Sequence, residues 1–207
     1  NYEIDVPDFK KEKLLSALVK SAKDIDKSKY DVIYSEESND DTIRKLPRVT
    51  HEYNYKDDVY LVGEIGALNK YENVCTDFSL NVVNSYTVAF LHSMGANRIT
   101  LSYELNKQQI RDLIDAYYAK NEGYPALEMV VYGRAPLMFT KYCPLKKMGQ
   151  CGVCREKTYE IKDEYGSFPV IPHEDHTVTI LNGKILNLLD EMPEIDGIEA
   201  FRLNFTI

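Results

Sequence analysis

No run in the 207 residues approaches the ~18 consecutive apolar side chains of a membrane-spanning helix, so no such helix is expected. Glycine is scarce, with ten residues, and none falls in a GxGxxG or GxxxxGK array. A Gly-rich phosphate loop is thereby excluded. There is no GxSxG elbow and no HExxH helix, which removes two common hydrolytic layouts. Four histidines (His51, His92, His173 and His176) leave little room for a Ser-His-Asp set. His92 falls in a helical pattern and reads as a packed or capping residue; His51 falls in a polar loop. Positive charge is also short. Lys and Arg number 25 against 33 Asp and Glu, for a net charge of −8. Such a surface repels phosphate backbones and argues against non-specific nucleic-acid binding, while leaving room for a local basic site. No repeat of 20–50 residues and no low-complexity segment is present.

What is present suits a folded domain. Hydrophobic residues make up 44% and charged residues 28%, enough apolar material for a core and unlike a disordered chain. The length predicts one domain, or one with a small appendage. The first residue is Asn1, so the sequence reads as a processed, trimmed or partial chain.

Residues 1–58 form a segment of uncertain assignment. Leu15, Leu18, Val19 and Ala22 share one helical face between Phe9 and Ile25, with Asp8 as N-cap, which predicts a helix. Tyr30–Tyr34 reads as a strand, and Thr42–Leu46 as a helical turn stopped by Pro47. Residues 59–134 carry a βα-repeat. Val59–Glu64, Asn73–Asp77, Arg98–Ser102 and Leu127–Tyr132 read as strands. Leu80–Met94 reads as a helix with Val83, Tyr86, Phe90 and Leu91 inward, capped by Gly95. Asn106–Lys120 reads as a second helix, with Ile110, Leu113, Ile114 and Tyr117 inward. Apolar strands alternating with amphipathic helices predict a parallel sheet covered by helices. Residues 135–192 form a cysteine loop and a β-hairpin insert. Its strands are Thr158–Ile161 and Ser167–Ile171 around Asp163-Glu164-Tyr165-Gly166. Thr177–Leu181 reads as a further strand and Ile185–Glu191 as a short helix. Residues 193–207 hold a closing strand, Gly197–Phe205.

Two constellations carry chemistry. The sharper is Cys143, Cys151 and Cys154 followed by His173 and His176, or C-x7-C-x2-C-x18-H-x2-H. Thiolates at x2 spacing bind one metal from a single turn, and an imidazole can complete a tetrahedron. An iron–sulfur cluster or a zinc is one reading; unliganded thiols, or a Cys151–Cys154 disulfide, is the other. Cys75, inside an apolar strand, reads as a small buried hydrophobe. The second constellation lies at strand C-termini, where parallel α/β sheets bind ligands. Glu64, Asp77, Asn81, Asn84, Ser102, Glu104 and Arg134 fall there as candidate substrate-binding residues. Carboxylates and an arginine on one rim suit a polar ligand or acid–base work. Helix capping and rim salt bridges are the alternative.

The run VCTDFSLNVVNSYTVAFLHSMGANRITLSYEL (Val74–Leu105) resembles a signature of the collagenase-like peptidase family, peptidase family U thirty-two. VVYGRAPLMFTKYCP (Val130–Pro144) resembles its next strand and loop. CGVCREKTYEIKDEYGSFPV (Cys151–Val170) resembles its cysteine-bearing loop and hairpin. The resemblance covers roughly residues 59–205, and LPRV (Leu46–Val49) is compatible with it. It implies a TIM-like barrel, of which this chain would be the later part. It implies hydrolysis of peptide bonds, with a peptide or protein substrate and no assigned catalytic residue. Other members are oxygen-independent hydroxylation or RNA-modification enzymes with a four-iron cluster on four cysteines, which would make an RNA or small molecule the substrate. Cys143, Cys151 and Cys154 would be three of the ligands. His176 stands where the fourth cysteine would fall. A non-catalytic barrel fragment with a structural metal site is a third reading. A cytoplasmic location is expected.

The fold class expected is α/β: a partial TIM-like (β/α) barrel with parallel strands and a small hairpin insert. The strands between Tyr30 and Phe205 number about six, short of the eight of a full barrel. The expectation is an open sheet edge, to be paired by a missing N-terminal half or a second copy.

Overall fold

A computed structural model of the chain describes residues 13–23, 25–37, 41–49, 52–56, 59–154 and 157–205. It divides into two compact units, one of residues up to 132 with 187 onward, the other of residues 133–186.

Seven strands of the first unit come in sequence: β1 (Leu14–Val19), β2 (Val32–Ser35), β3 (Ile43–Lys45), β4 (Tyr60–Val62), β5 (Val74–Thr76), β6 (Ala96–Thr100) and β7 (Leu127–Gly133). In the second unit follow β8 (Pro136–Thr140), β9 (Tyr159–Asp163), β10 (Gly166–Pro172) and β11 (Val178–Leu181). After the two-residue β12 (Leu186–Asn187) the chain ends in β13 (Ala200–Phe205). Neighbours run β7-β13-β1-β2-β3-β4-β5-β6, and β6 pairs back onto β7. Each of these pairings is parallel. The ring is therefore a closed barrel of eight parallel strands.

Closure corrects the expected open edge. The two additional strands are segments whose sequence pattern is helical. Leu14–Val19 lies within the expected helix of Phe9–Ile25, and Ile43–Lys45 within the expected helical turn. β1 is covered on both faces: Ser16, Ala17, Leu18 and Val19 are all buried. A strand buried on both sides shows no apolar–polar alternation, so its side chains also satisfy a helical stripe. Asp8, the proposed cap, lies outside the described residues.

The barrel is TIM-like with its helical layer present in part. Among the described residues only α1 (Ser85–Ser93) and α2 (Lys107–Asn121) are helices longer than two turns. Short 3₁₀ turns stand after β4 and β5, at Ile65–Asn69 and Phe78–Leu80. α2 opens on a capping box, in which Asn106 and Gln109 each satisfy the other's backbone N–H. It buries Ile110, Leu113 and Ile114, as its periodicity predicts. α1 differs. It buries Ser85, Val88 and Leu91, whereas Val83, Tyr86 and Phe90 of the expected inward set are exposed. Leu91 alone of that set faces in. Val83 precedes the helix, and the Asn84 cap sets a start that turns Val88 to the barrel. No helix among the described residues is long and apolar enough to cross a membrane.

Strand alternation divides the core in two. Leu15, Ala17, Val19, Phe201, Leu203 and Phe205 join Val88, Leu91, Ile110 and Leu113 in the large cluster between strands and helices. Leu18, Tyr34, Leu61 and Cys75 form a smaller one inside the ring. Gly197 leads into β13 with φ +78°, and a Cβ there would sit 2.9 Å from Ile114. Gly197→Ala is expected to cost about 1–3 kcal/mol, from backbone strain and that clash. Urea denaturation checks it, and an unchanged midpoint would show that the turn relaxes freely.

The second unit is a four-stranded antiparallel sheet, in the order β8-β11-β10-β9. Its β9–β10 hairpin is the one predicted around Asp163. The Asp163 carboxylate accepts from the N–H groups of Tyr165 and Gly166 at 2.7 and 3.1 Å. This Asx turn explains why that tetrapeptide reverses the chain. The expected helix at Ile185–Glu191 is instead β12 followed by a 3₁₀ turn, Leu189–Glu194. The turn ends at Ile195, which is in extended backbone.

Candidate active site at the barrel mouth

TIM-like barrels place their sites at the C-terminal ends of the strands. Here Asp77, the residue after β5, is 3% exposed. Its Oδ1 accepts from Arg202 Nη2 at 2.9 Å and from its own neighbour's N–H, that of Phe78, also at 2.9 Å. Arg202 lies on the inner face of β13 and is fully buried. Its Nη2 also donates to Thr100 Oγ1 at 2.8 Å, and its Nε stands 3.5 Å from Glu128 Oε2. Glu128, on β7, is fully buried too. It accepts from Ser16 at 2.5 Å, from Tyr34 at 3.2 Å and from Thr100 at 3.0 Å. Six strands thus supply or abut one buried polar network.

A charge buried this way persists only when paired and hydrogen-bonded. Burial works against the Arg202 charge, but the carboxylates of Glu128 and Asp77 outweigh it and hold its pKa above the ordinary arginine value. Burial also pushes Tyr34 well up, and the charge of Glu128 adds to this, so the phenol stays a donor. Nearer the mouth, Asn204 follows Arg202 on the same inner face. Its Nδ2 donates to Tyr103 Oη at 2.8 Å. Tyr103 meets Phe78 edge-on, with ring centroids 4.9 Å apart.

The other rim candidates hold loops. Glu64 accepts from Tyr53 Oη at 2.5 Å and from Gly66 N–H at 2.7 Å, capping the turn after β4. Asn84 caps α1 by accepting from Thr87 N–H at 2.9 Å. Asn81 is left-handed, with φ 50°, and accepts from Ser102 Oγ at 2.6 Å. Ser102 Oγ in turn accepts from Glu104 N–H at 3.2 Å, and the Glu104 side chain is exposed. Arg134, in the second unit, donates to the carbonyls of Asn182 and Gly183. Asp77 is therefore the candidate that joins the buried network. Glu128, Arg202, Thr100 and Asn204 were not singled out from sequence. The available signal was a charged or amide residue within apolar strand runs (LEMVVY and AFRLNF), where parallel strands are otherwise apolar.

The Tyr53–Glu64 bond has a titration signature. That hydrogen bond, with burial, pushes the Tyr53 phenol up to about 12. The neutral form is favoured in the fold, so its stabilisation is full below pH ~10 and is lost as pH rises through about 12. Absorbance at 295 nm is expected to show a late step that Tyr53→Phe removes. Ionisation of Tyr53 near pH 10 would contradict the bond.

The cysteine loop lies in the second unit. Cys151 Sγ stands 3.7 Å from His176 Nδ1, and His176 is held at φ 62°. Cys143 caps the four-residue α3 (Pro144–Lys147), its sulfur accepting from Lys146 N–H at 3.4 Å. His173 engages Thr179 at 2.8 Å. All four cysteines are free thiols, and Cys75 is buried as expected. Among the described residues, no three His, Cys, Asp or Glu side chains gather as a metal-binding group. Of the four implied donors, Cys151 and His176 approach one another.

The sequence model of peptidase family U32 matches residues 6–204. No curated protein and no solved structure matches the chain. With nearly its full length covered by the family's model, the chain belongs to peptidase family U32.

Proposed function

We propose that this protein hydrolyses peptide bonds at the C-terminal mouth of the barrel. Family membership supports the reaction class. The single observation that carries the location is the Asp77 carboxylate. Both of its described hydrogen bonds fall on Oδ1, from Arg202 Nη2 and Phe78 N–H. Oδ2 is thereby oriented and retains its lone pairs for a proton or a water. A carboxylate fixed in this way serves as a general base toward a water attacking a carbonyl. The attack forms a carbon–oxygen bond as the water's proton passes to Asp77; the scissile carbon–nitrogen bond then breaks as that proton passes to the departing nitrogen. The guanidinium of Arg202, bonded to Oδ1, holds the carboxylate in that orientation.

The test is peptide cleavage by the purified protein, read by mass spectrometry on a mixed peptide library. Cleavage is expected, and Asp77→Asn is expected to slow it at least ~10²-fold while circular dichroism stays unchanged. Absence of cleavage, or an Asp77→Asn protein of full activity, would overturn the proposal.

A further inference from the structure

Inside the barrel Arg202 Nε makes no hydrogen bond and has only the Glu128 carboxylate 3.5 Å away, and neither Arg202 Nη1 nor Asn204 Oδ1 has a hydrogen-bond partner. Their residues are 0% and 7% exposed. Buried donors and acceptors in native proteins are almost always satisfied, so these two mark where a further group belongs. They lie two residues apart on the inner face of β13, Asn204 being nearer the mouth. Nη2 of Arg202 is hydrogen-bonded to Asp77 and Thr100 and Nε is ion-paired with Glu128 at 3.5 Å, whereas Nη1 has neither kind of partner.

We infer that Arg202 Nη1 and Asn204 Oδ1 form a subsite for a neutral, extended peptide segment, with Nη1 donating to the backbone carbonyl and Oδ1 accepting from the backbone N–H of one residue, two groups that point to the same side in extended backbone. The inference rests on the peptide-hydrolase reading and names the groups that hold the substrate. Charge selects a neutral group over an anion. The Arg202 guanidinium already faces two carboxylates, Asp77 and Glu128, so a ligand carboxylate would add a third negative charge beside them. The pairing also needs both polarities. A bare carbonyl would leave Asn204 Oδ1 unsatisfied, and an ammonium would leave Arg202 Nη1 so. Tyr103 accepts from the other end of the Asn204 amide, Nδ2, and its ring stands edge-on to Phe78.

Calorimetric titration of the full chain tests this. The probes are acetylated, amidated tetra-alanine and its depsipeptides, each with one amide N–H replaced by an ester oxygen. One depsipeptide is expected to bind about tenfold more weakly than the parent, having lost the N–H that Asn204 accepts. In Asn204→Leu that difference is expected to vanish. Asn204→Ser, whose hydroxyl is too short to reach, serves if the leucine variant does not fold. Equal affinities across the set, or no binding of the parent, would overturn the subsite whatever the variants do. Its failure is distinct from that of the hydrolase reading. Cleavage without ester discrimination leaves the reaction and removes the subsite; discrimination without cleavage does the reverse.

Discussion

Arg202→Leu is expected to lower the free energy of unfolding by about 3–5 kcal/mol, because it leaves buried carboxylates without their counter-charge. Glu128 is 0% exposed, so water cannot replace the guanidinium there. The deletion also removes the donor to Thr100. The intact pair is not for that reason a large net gain over an apolar one, since desolvating both charges offsets their attraction. A double-mutant cycle separates the two statements. Arg202→Leu with Glu128→Leu removes both charges of that pair, and its cost is expected to fall short of the two single costs summed by more than ~1 kcal/mol. The double variant still pays for the hydroxyls of Ser16, Tyr34 and Thr100, which lose their acceptor. Urea denaturation of the four proteins provides the measurement. Additive costs would show that Arg202 and Glu128 do not support one another.

Phe201→Ala is expected to cost a comparable ~3–5 kcal/mol, the range for deleting a buried aromatic ring. Phe201 is 1% exposed and sits on the outer face of β13, in the large cluster between barrel and helices. The strand that carries it joins β7 to β1 and so completes the ring. A cavity there loosens closure as well as packing. The cation–π contact of Lys13, 5.1 Å from the ring centroid, is a smaller term, ~0.5–1 kcal/mol. A measured cost below about 1 kcal/mol would mean that the neighbours collapse into the space, and that the cluster is more plastic than the ring closure suggests.

Much of the fold was legible in local pattern. α2 declares itself through its capping residues and its apolar stripe, and the β9–β10 hairpin through Asp163 and Gly166. Both signals act within a few residues, so sequence displays them directly. β1 was not legible. Its six residues are apolar except for Ser16, and whether such a run is strand or helix depends on what covers its second face. With β1 and β3 read as helical, the strand count fell to six and an open edge followed. The barrel mouth was legible as a place, through Asp77 after an apolar strand. Its partners were not. Arg202 is 125 residues from Asp77, and Ser16 is 112 from Glu128. No spacing rule spans such separations, and a charge inside an apolar strand run marks a buried position without naming its partner.

The cysteine spacing illustrates the same division. Cys151 and His176 do approach to 3.7 Å across the hairpin, whereas Cys143 takes up a helix cap. Sequence by itself determined the βα order from β4 to β7, the hairpin insert, the family, and a carboxylate at the mouth. Tertiary structure alone decided that the ring closes, that Val83, Tyr86 and Phe90 face outward, and that Asp77, Arg202 and Glu128 share one buried network. The physical reason is range. Helix caps, turns and apolar periodicity are settled by neighbours along the chain. Barrel closure and charge burial are settled by which distant strand lies alongside, and only the folded chain fixes that.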